Sequence, residues 1–220
     1  MIKKTIKTPL FDEVKKYGLY HFDHAEPNDN DIVFKQKFKG DWQNELDDFV
    51  PMHIEHDFEN KNTARQWQEW INLEYDPRAF SKKMSVDVHT TPKIYKISEQ
   101  IPFDDSSLVQ SWLTEQKPMQ HIPYHVDLLS STGLDPKTVS KTGYRILVFL
   151  TDWWPGEFMV WGTQTFTHWK AGFILGFPAM KYPHGTANVS MHTGYRLRIS
   201  GLMNNSLKSW LDSDSVVEIF

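Results

Sequence analysis

The stretch Arg145-Ile-Leu-Val-Phe-Leu150 decides the predicted fold, because it reads as the most buried strand of the chain within a candidate strand at Tyr144–Leu150. Outward from it, short apolar runs alternate with turn signals such as Trp154-Pro-Gly156 and Ala171-Gly172. This texture is typical of a β-sandwich or barrel. The sequence therefore predicts a mainly β protein with flanking helices, and its other candidate strands are His121–Leu128, Glu157–Trp161, Thr165–Trp169, Phe173–Phe177 and Tyr195–Gly201.

The first half of the chain reads differently. A helix is predicted from Thr63 to about Tyr75, before Asp76-Pro77, and a second from Asp104 to Lys117. A short strand is predicted at Ile32–Phe38. All 220 residues are interpreted as one domain. Its N-terminal helices and extra strands (1–118) are expected to pack on a β core (119–202), which a C-terminal extension (203–220) follows.

The composition excludes several classes of protein and of site. The chain has no cysteine, so it has no disulfide, thiolate zinc site, iron–sulfur cluster or cysteine nucleophile. Any metal must be bound by histidine, carboxylate or other oxygen ligands. No apolar run is long enough to cross a membrane, and no signal peptide is recognised, so a soluble, cytoplasmic protein is expected. The net charge of −4 slightly disfavours nucleic acid as a partner.

A candidate metal site begins on the first strand of the β-rich half. Side chains at i and i+2 of a strand share a face, so His125 and Asp127 can offer a nitrogen and an oxygen to one ion. Four His-x-Asp/Glu matches occur in the chain, and only this one lies at the head of the β-rich half, with His184 several strands further on. Two histidines and one carboxylate form the facial triad of non-haem Fe(II) oxygenases, which leaves positions open for other ligands.

The last predicted strand of the core carries two arginines on one face. In Tyr195-Arg-Leu-Arg-Ile-Ser200, the side chains of Arg196, Arg198 and Ser200 point the same way. Arginine on an interior face is costly unless it meets an anion. A dicarboxylate is a suitable anion, because guanidinium binds carboxylate through two parallel hydrogen bonds.

Together these features resemble the 2-oxoglutarate/Fe(II)-dependent dioxygenases. The resemblance rests on His125-x-Asp127, His184-Gly185 and Arg198-x-Ser200, and on Tyr144–Asp152 followed by Pro155-Gly-Glu157. It covers about residues 119–202, and the order and spacing of the motifs carry it. The family's fold, a double-stranded β-helix or jelly roll of the cupin-like kind, is implied for this chain.

The same resemblance implies the site and the reaction. Fe(II) is expected on His125, Asp127 and His184, and the far carboxylate of 2-oxoglutarate on Arg198 and Ser200. The reaction implied is hydroxylation of an unactivated C–H bond with O2, with release of succinate and CO2. Tyr144, Trp161 and Arg196 are further candidates to line the pocket.

Other interpretations stay open at this point. The alternatives are a non-catalytic jelly-roll binding or structural module, and a cupin-like metalloenzyme that does not use 2-oxoglutarate. The substrate is not identified, although a protein side chain or a small metabolite is favoured over nucleic acid, and the oligomeric state is open. The clusters His21-Phe-Asp-His24 and His53-Ile-Glu-His56 are interpreted as solvated polar segments.

Overall fold

The computed structural model describes most of the second half of the chain and parts of the first half. The described residues are 29–48, 68, 82–104, 109–127, 142–162 and 164–220. Their strands and helices, after a 3-10 turn at Asp29–Asp31, are β1 (Val33–Gln36), β2 (Phe38–Gly40), α1 (Gln43–Asp47), β3 (Lys82–Ser85), α2 (Pro92–Glu99), β4 (Gln110–Gln116), β5 (His121–His125), β6 (Gly143–Phe149), β7 (Glu157–Trp161), β8 (Gln164–Phe166), β9 (Phe173–Phe177), β10 (His184–Asn188), β11 (Gly194–Leu202), α3 (Asn205–Asp212) and β12 (Val217–Ile219).

Two antiparallel sheets form the body of the described protein. The larger has the order β1-β9-β6-β11-β4-β3, and the smaller has the order β5-β10-β7-β8. From β4 to β11 the chain passes repeatedly from one sheet to the other, so that strands distant in sequence become neighbours. This winding of eight strands is a double-stranded β-helix, or jelly roll. The predicted fold class, mainly β with flanking helices, is confirmed.

The large sheet has apolar clusters on both of its faces. Strand β6 is buried along its whole length. Its Ile146 and Val148 belong to a cluster that also contains Ile94 of α2 and Leu207 of α3. Leu147 and Phe149, which alternate with them, belong to a second cluster that includes Met159, Trp161 and Phe177. The helices therefore cover the outer face of the large sheet, whereas its inner face packs against the small sheet.

One predicted helix is wrong. Residues 110–116 form strand β4, although the sequence analysis places them in a helix that begins at Asp104. The apolar positions of this short stretch fit both the period of a helix and the period of a strand. Pairing with neighbouring strands decides between the two structures. Strand β4 is paired with β11 on one side and with β3 on the other, so its backbone is satisfied in the sheet.

The other predictions for the N-terminal half have different outcomes. The strand expected at Ile32–Phe38 is present as β1 and the start of β2, and β1 extends the large sheet beside β9. The helix expected at 63–75 lies outside the described residues except for Gln68, which is helical and exposed. The division of the chain at residues 118 and 202 stays a prediction.

Candidate metal centre

The small sheet brings the predicted ligands together. His184 begins β10 and lies directly opposite His125, the last residue of β5, in the antiparallel register. On its other side His184 is paired with Trp161, the last residue of β7. Asp127 follows β5 by two residues and is buried, with 7% of its surface exposed. The three side chains therefore meet at one end of the small sheet.

The geometry of the cluster is that of three converging ligand atoms. His184 Nε2 lies 3.2 Å from Asp127 Oδ2, and His125 Nε2 lies 3.5 Å from Asp127 Oδ1. One ligand atom from each residue lies within 4.8 Å of the others. Atoms bound at right angles to one ion, about 2.1 Å from it, are about 3 Å apart. The cluster thus fits a metal ion if the ligand atoms move slightly closer together.

Backbone carbonyl groups orient both imidazole rings. His125 Nδ1 lies 2.7 Å from the carbonyl oxygen of Pro123, and His184 Nδ1 lies 2.9 Å from that of Tyr182. Because a carbonyl oxygen only accepts hydrogen bonds, each Nδ1 carries the proton, and each Nε2 of a neutral ring carries a lone pair instead of a proton. Such outer partners are usual for metal-binding histidines.

The protonation state of His184 also suits a metal ligand. Burial is the largest cause that lowers the pKa of His184 well below its ordinary value, and the charges of His125, Arg145 and Arg198 lower it further. Trp161 stacks on the ring with centroids 5.0 Å apart and planes at 16°. A neutral Nε2 facing a carboxylate oxygen places two lone pairs against each other, and a cation between them relieves this repulsion.

Asp127 has a further partner that the sequence analysis missed. Arg145 Nη1 donates a hydrogen bond to Asp127 Oδ2, and Arg145 Nε donates to Ser200 Oγ at 2.9 Å. Arg145 and Ser200 are cross-strand partners on β6 and β11. The sequence did contain a signal for Arg145, because it is a charged residue near the start of a strand that is otherwise apolar. Its partner could not be read from the sequence, because Asp127 belongs to the other sheet.

The structure places Arg198 beside this cluster. It lies on β11 opposite Leu147 of β6, on the same face of the sheet as Arg145 and Ser200. Its side chain is half-buried. Its charge acts on His184, and also on Arg145, whose pKa is lowered by burial first and by Arg198 second. The predicted residues Arg198 and Ser200 are therefore near the three ligands, although the Ser200 hydroxyl already accepts a hydrogen bond from Arg145.

The three additional pocket candidates have different positions. Trp161 is fully buried and forms a wall of the site through its contact with His184. The prediction for Tyr144 is wrong, because alternation turns it to the outer face of β6, where it belongs to the cluster under the helices. Its hydroxyl donates to the carbonyl of Asp31 at 3.3 Å.

Arg196 also lies away from the ligands, so its prediction as a pocket residue is wrong. It is paired with Phe149, four residues along the strand from the pairing of Ser200 with Arg145. Four residues of a strand span about 13 Å. Its Nη1 donates to Gln116 Oε1 at 2.5 Å, and its guanidinium lies over the ring of Trp169 at 5.8 Å. The segments His21–His24 and His53–His56 are outside the described residues.

Comparisons with known proteins find only distant structural likenesses. No protein-family model matches the chain, and no curated protein matches it. Solved structures that resemble it include the cupin domain of Cnp3 from Schizosaccharomyces pombe, at 12% identity and a TM-score of 0.36 over 59% of this chain and 66% of that domain. An RmlC-like cupin protein from Desulfovibrio desulfuricans matches at 17% identity and a TM-score of 0.31, over 44% of this chain and 74% of that one.

A third similar structure is a non-heme monooxygenase, described as the ThoJ–Ni complex. It matches at 17% identity with a TM-score of 0.34, over 42% of each chain. This chain thus spans just under two thirds of the Cnp3 domain and less than half of the monooxygenase. These likenesses are distant, and the jelly roll is established by the strand pairing of the chain itself. None of the helices in the described part of the chain is long and apolar enough to span a membrane.

Proposed function

We propose that this protein is a 2-oxoglutarate- and Fe(II)-dependent oxygenase that hydroxylates an unactivated C–H bond. The observation that carries the proposal is the combination of two neighbouring features. Two histidines and one carboxylate converge at the end of the small sheet, and the inward-facing Arg198 lies close enough for its charge to act on His184. A redox metal and an anionic co-substrate are the two components that this arrangement fits.

Each residue of the site has a defined role in this proposal. His125, Asp127 and His184 bind the metal on one side and leave its other positions to the co-substrate and O2. Arg198 binds the far carboxylate of 2-oxoglutarate between the two sheets. Trp161 is fully buried, covers one face of His184 and keeps water from that side of the site.

The cofactor pair supplies the oxidation when bound, and the overall reaction balances. One oxygen atom of O2 enters succinate as 2-oxoglutarate loses CO2, and the other enters the substrate as a hydroxyl group. The protein's contribution is to orient the co-substrate and to exclude water. For the substrate, we propose a protein side chain or a small metabolite, because the net charge of −4 is unfavourable for nucleic acid.

The test measures binding first and turnover second. Titration of the metal-loaded protein with 2-oxoglutarate by calorimetry, without O2, is expected to show one site per chain. Arg198→Gln is expected to weaken this binding by about tenfold or more, because a charge-assisted bidentate contact is lost. Lys170→Gln is the matched control: it also removes one positive charge, but from an exposed ion pair with Asp152.

Turnover is then followed as succinate formed with Fe(II), ascorbate and O2, with and without candidate substrates. Metal binding without any 2-oxoglutarate binding would favour the cupin-like metalloenzyme that uses no such co-substrate. Absence of metal binding would favour the non-catalytic module. Either outcome overturns the proposed function, whereas succinate formation that requires His125 and Asp127 supports it.

A further inference from the structure

Arg145 joins two groups that the sequence analysis treats separately. One of its nitrogens donates to the carboxylate of Asp127, and another donates to the hydroxyl of Ser200. Asp127 is a predicted metal ligand, and Ser200 is a predicted ligand of the co-substrate carboxylate. The guanidinium of Arg145 therefore lies between the metal subsite and the anion subsite.

The position of Arg145 is fixed by the fold. Its backbone is paired with Ser200 on one side and with Phe177 on the other, so the side chain points toward the small sheet. Only 4% of its surface is exposed. A buried guanidinium cannot exchange its partners for water, and Asp127 and Ser200 satisfy it within the site. Movement of Arg145 is thus tied to movement of Asp127.

The charges of the cluster have an electrostatic consequence. Its described charged groups are the carboxylate of Asp127 and the guanidinium groups of Arg145 and Arg198. With both histidines neutral, these three side chains carry a net positive charge before a metal arrives. A divalent cation is attracted by Asp127 and repelled by both arginines. A metal ion that takes Asp127 Oδ2 must displace Arg145 from it, and the displaced guanidinium, buried away from water, needs an anion as its new partner.

We propose that Arg145 is a positioning residue that makes the binding of metal and of a dianion at this site mutually dependent. Its hydrogen bond to Asp127 competes with the metal when the anion is absent, and an anion beside the guanidinium draws it away from Asp127 and removes this competition. Ser200 acts through Arg145, by fixing its orientation, rather than by contact with the anion. Because the coupling between two ligands is reciprocal, each ligand strengthens the other by the same factor. The inference rests on the proposed function only for the identity of the dianion.

The experiment measures this coupling factor without any turnover. Mn(II) is titrated into the protein while free Mn(II) is followed by its electron paramagnetic resonance signal, with and without 2-oxoglutarate or malonate. Protein-free samples with the same anion correct for binding in solution. In the wild-type protein, the anion is expected to increase the affinity for Mn(II) by about tenfold or more. Calorimetry with the anion as titrant is expected to give the same factor.

Two substitutions of Arg145 separate charge from structure. Arg145→Gln removes the charge and keeps a hydrogen-bond donor for Asp127, and it is expected to reduce the coupling factor by about threefold or more. Arg145→Lys keeps the charge, and most of the coupling is expected to remain. Ser200→Ala is expected to reduce the factor less than Arg145→Gln does, and Lys170→Gln is expected to leave it unchanged. Thermal melting of each metal-free variant checks that it is folded.

The outcomes distinguish this inference from the proposed function. Coupling with malonate but not with 2-oxoglutarate would overturn the proposed function and support the role of Arg145. A folded Arg145→Gln variant with the wild-type coupling factor would overturn the role of Arg145, whatever its effect on the Mn(II) affinity itself. The role of Arg145 would also be overturned if neither dianion changed Mn(II) binding to the wild-type protein.

Discussion

The two ends of the double sheet both bury charged side chains, and they use them differently. At one end, where β10 begins, His184 Nε2 and His125 Nε2 face the oxygens of Asp127 at 3.2 and 3.5 Å. At the other end, where β10 finishes, Asn188 is paired with Glu157. The first end brings two imidazole nitrogens to a carboxylate that also accepts a hydrogen bond from Arg145.

The second end forms a hydrogen-bonded network that joins the two sheets. Gln116 of the large sheet donates to Thr186 of the small sheet at 2.9 Å and accepts from Arg196. Glu157 is buried near Arg196, whose charge acts on it. Here Gln116 joins the two sheets through hydrogen bonds, and the opposite charges of Glu157 and Arg196 lie near each other without an added ion. We interpret the first end as the candidate metal site and the second end as a contact between the two sheets that stabilises the fold.

The largest expected effect is the loss of metal binding at the first end. Asp127→Ala is expected to weaken Mn(II) binding by more than about 100-fold, because a direct ligand contributes more than the outer partners, which contribute about 10–100-fold. The melting temperature of the metal-free protein is expected to fall as well, because the buried guanidinium of Arg145 loses its carboxylate partner. Calorimetry and thermal melting check the two parts. Undiminished Mn(II) binding would show that the ligands are elsewhere.

At the second end, stability is expected to fall without a loss of metal binding. Arg196→Leu leaves Gln116 Oε1 without its donor and Glu157 without its neighbouring positive charge. The free energy of unfolding is expected to fall by about 2–4 kcal/mol. Mn(II) affinity of the folded variant is expected to stay within about twofold of wild type, because Arg196 lies four residues along β11 from Ser200 and donates to Gln116 at the second end. Urea unfolding measures the free energy of unfolding, and Mn(II) titration measures the affinity for the metal. A comparable loss of stability and of Mn(II) affinity would remove the distinction between the ends.

A smaller effect is expected from the carboxyl group of Glu157. Burial raises the pKa of Glu157 above its ordinary value, and the charge of Arg196 opposes this increase. Below pH 4.5 the group is protonated in both states, and as pH rises further, ionisation costs the folded state more than the unfolded state. Glu157→Gln is therefore expected to be as stable as wild type at pH 7, or more stable by about 1 kcal/mol at most.

Urea unfolding of both proteins between pH 4 and pH 8 measures this difference. The variant is expected to gain relative stability as the pH rises. A relative loss with rising pH would mean that the ionised carboxylate is stabilised in the folded protein, in contrast to its buried position.

The smallest effect concerns two buried tryptophans, one at each end. Trp161 stacks on His184, whereas Trp169 stacks on Phe149 with centroids 4.3 Å apart. A paramagnetic metal at the site is expected to quench Trp161 more strongly than Trp169. Trp161→Phe is expected to change Mn(II) affinity by less than about threefold, because an aromatic wall remains. It is expected to remove most of the metal-dependent loss of fluorescence, and Trp169→Phe is not.

The predicted site residues show how far local pattern extends. The spacing of His125 and Asp127 and the later position of His184 were sufficient to nominate three residues that the structure brings together. Alternation along β11 correctly placed Arg198 and Ser200 on one face. The same alternation, applied to β6, would have excluded Tyr144 from the pocket and drawn attention to Arg145, whose side chain points the other way.

Strand β4 shows where local pattern fails. The apolar spacing between Leu108 and Leu113 fits a helix, and nothing within that stretch reveals the two strands that flank it in the sheet. Strand β10 was also not predicted, since His184-Gly-Thr-Ala-Asn188 is not an apolar run. Its neighbours β5 and β7 supply its hydrogen bonds, and those neighbours are distant in sequence.

The sequence by itself determined the fold class and the candidate ligands, because strand periodicity, the absence of cysteine and the residue types of a metal site are local properties. Only the tertiary structure decided that Arg145 contacts Asp127 and that Arg196 lies at the far end. These relations depend on which strands are paired, in what register, and on the packing of the two sheets. Such contacts join residues that are far apart along the chain, so no local pattern contains them.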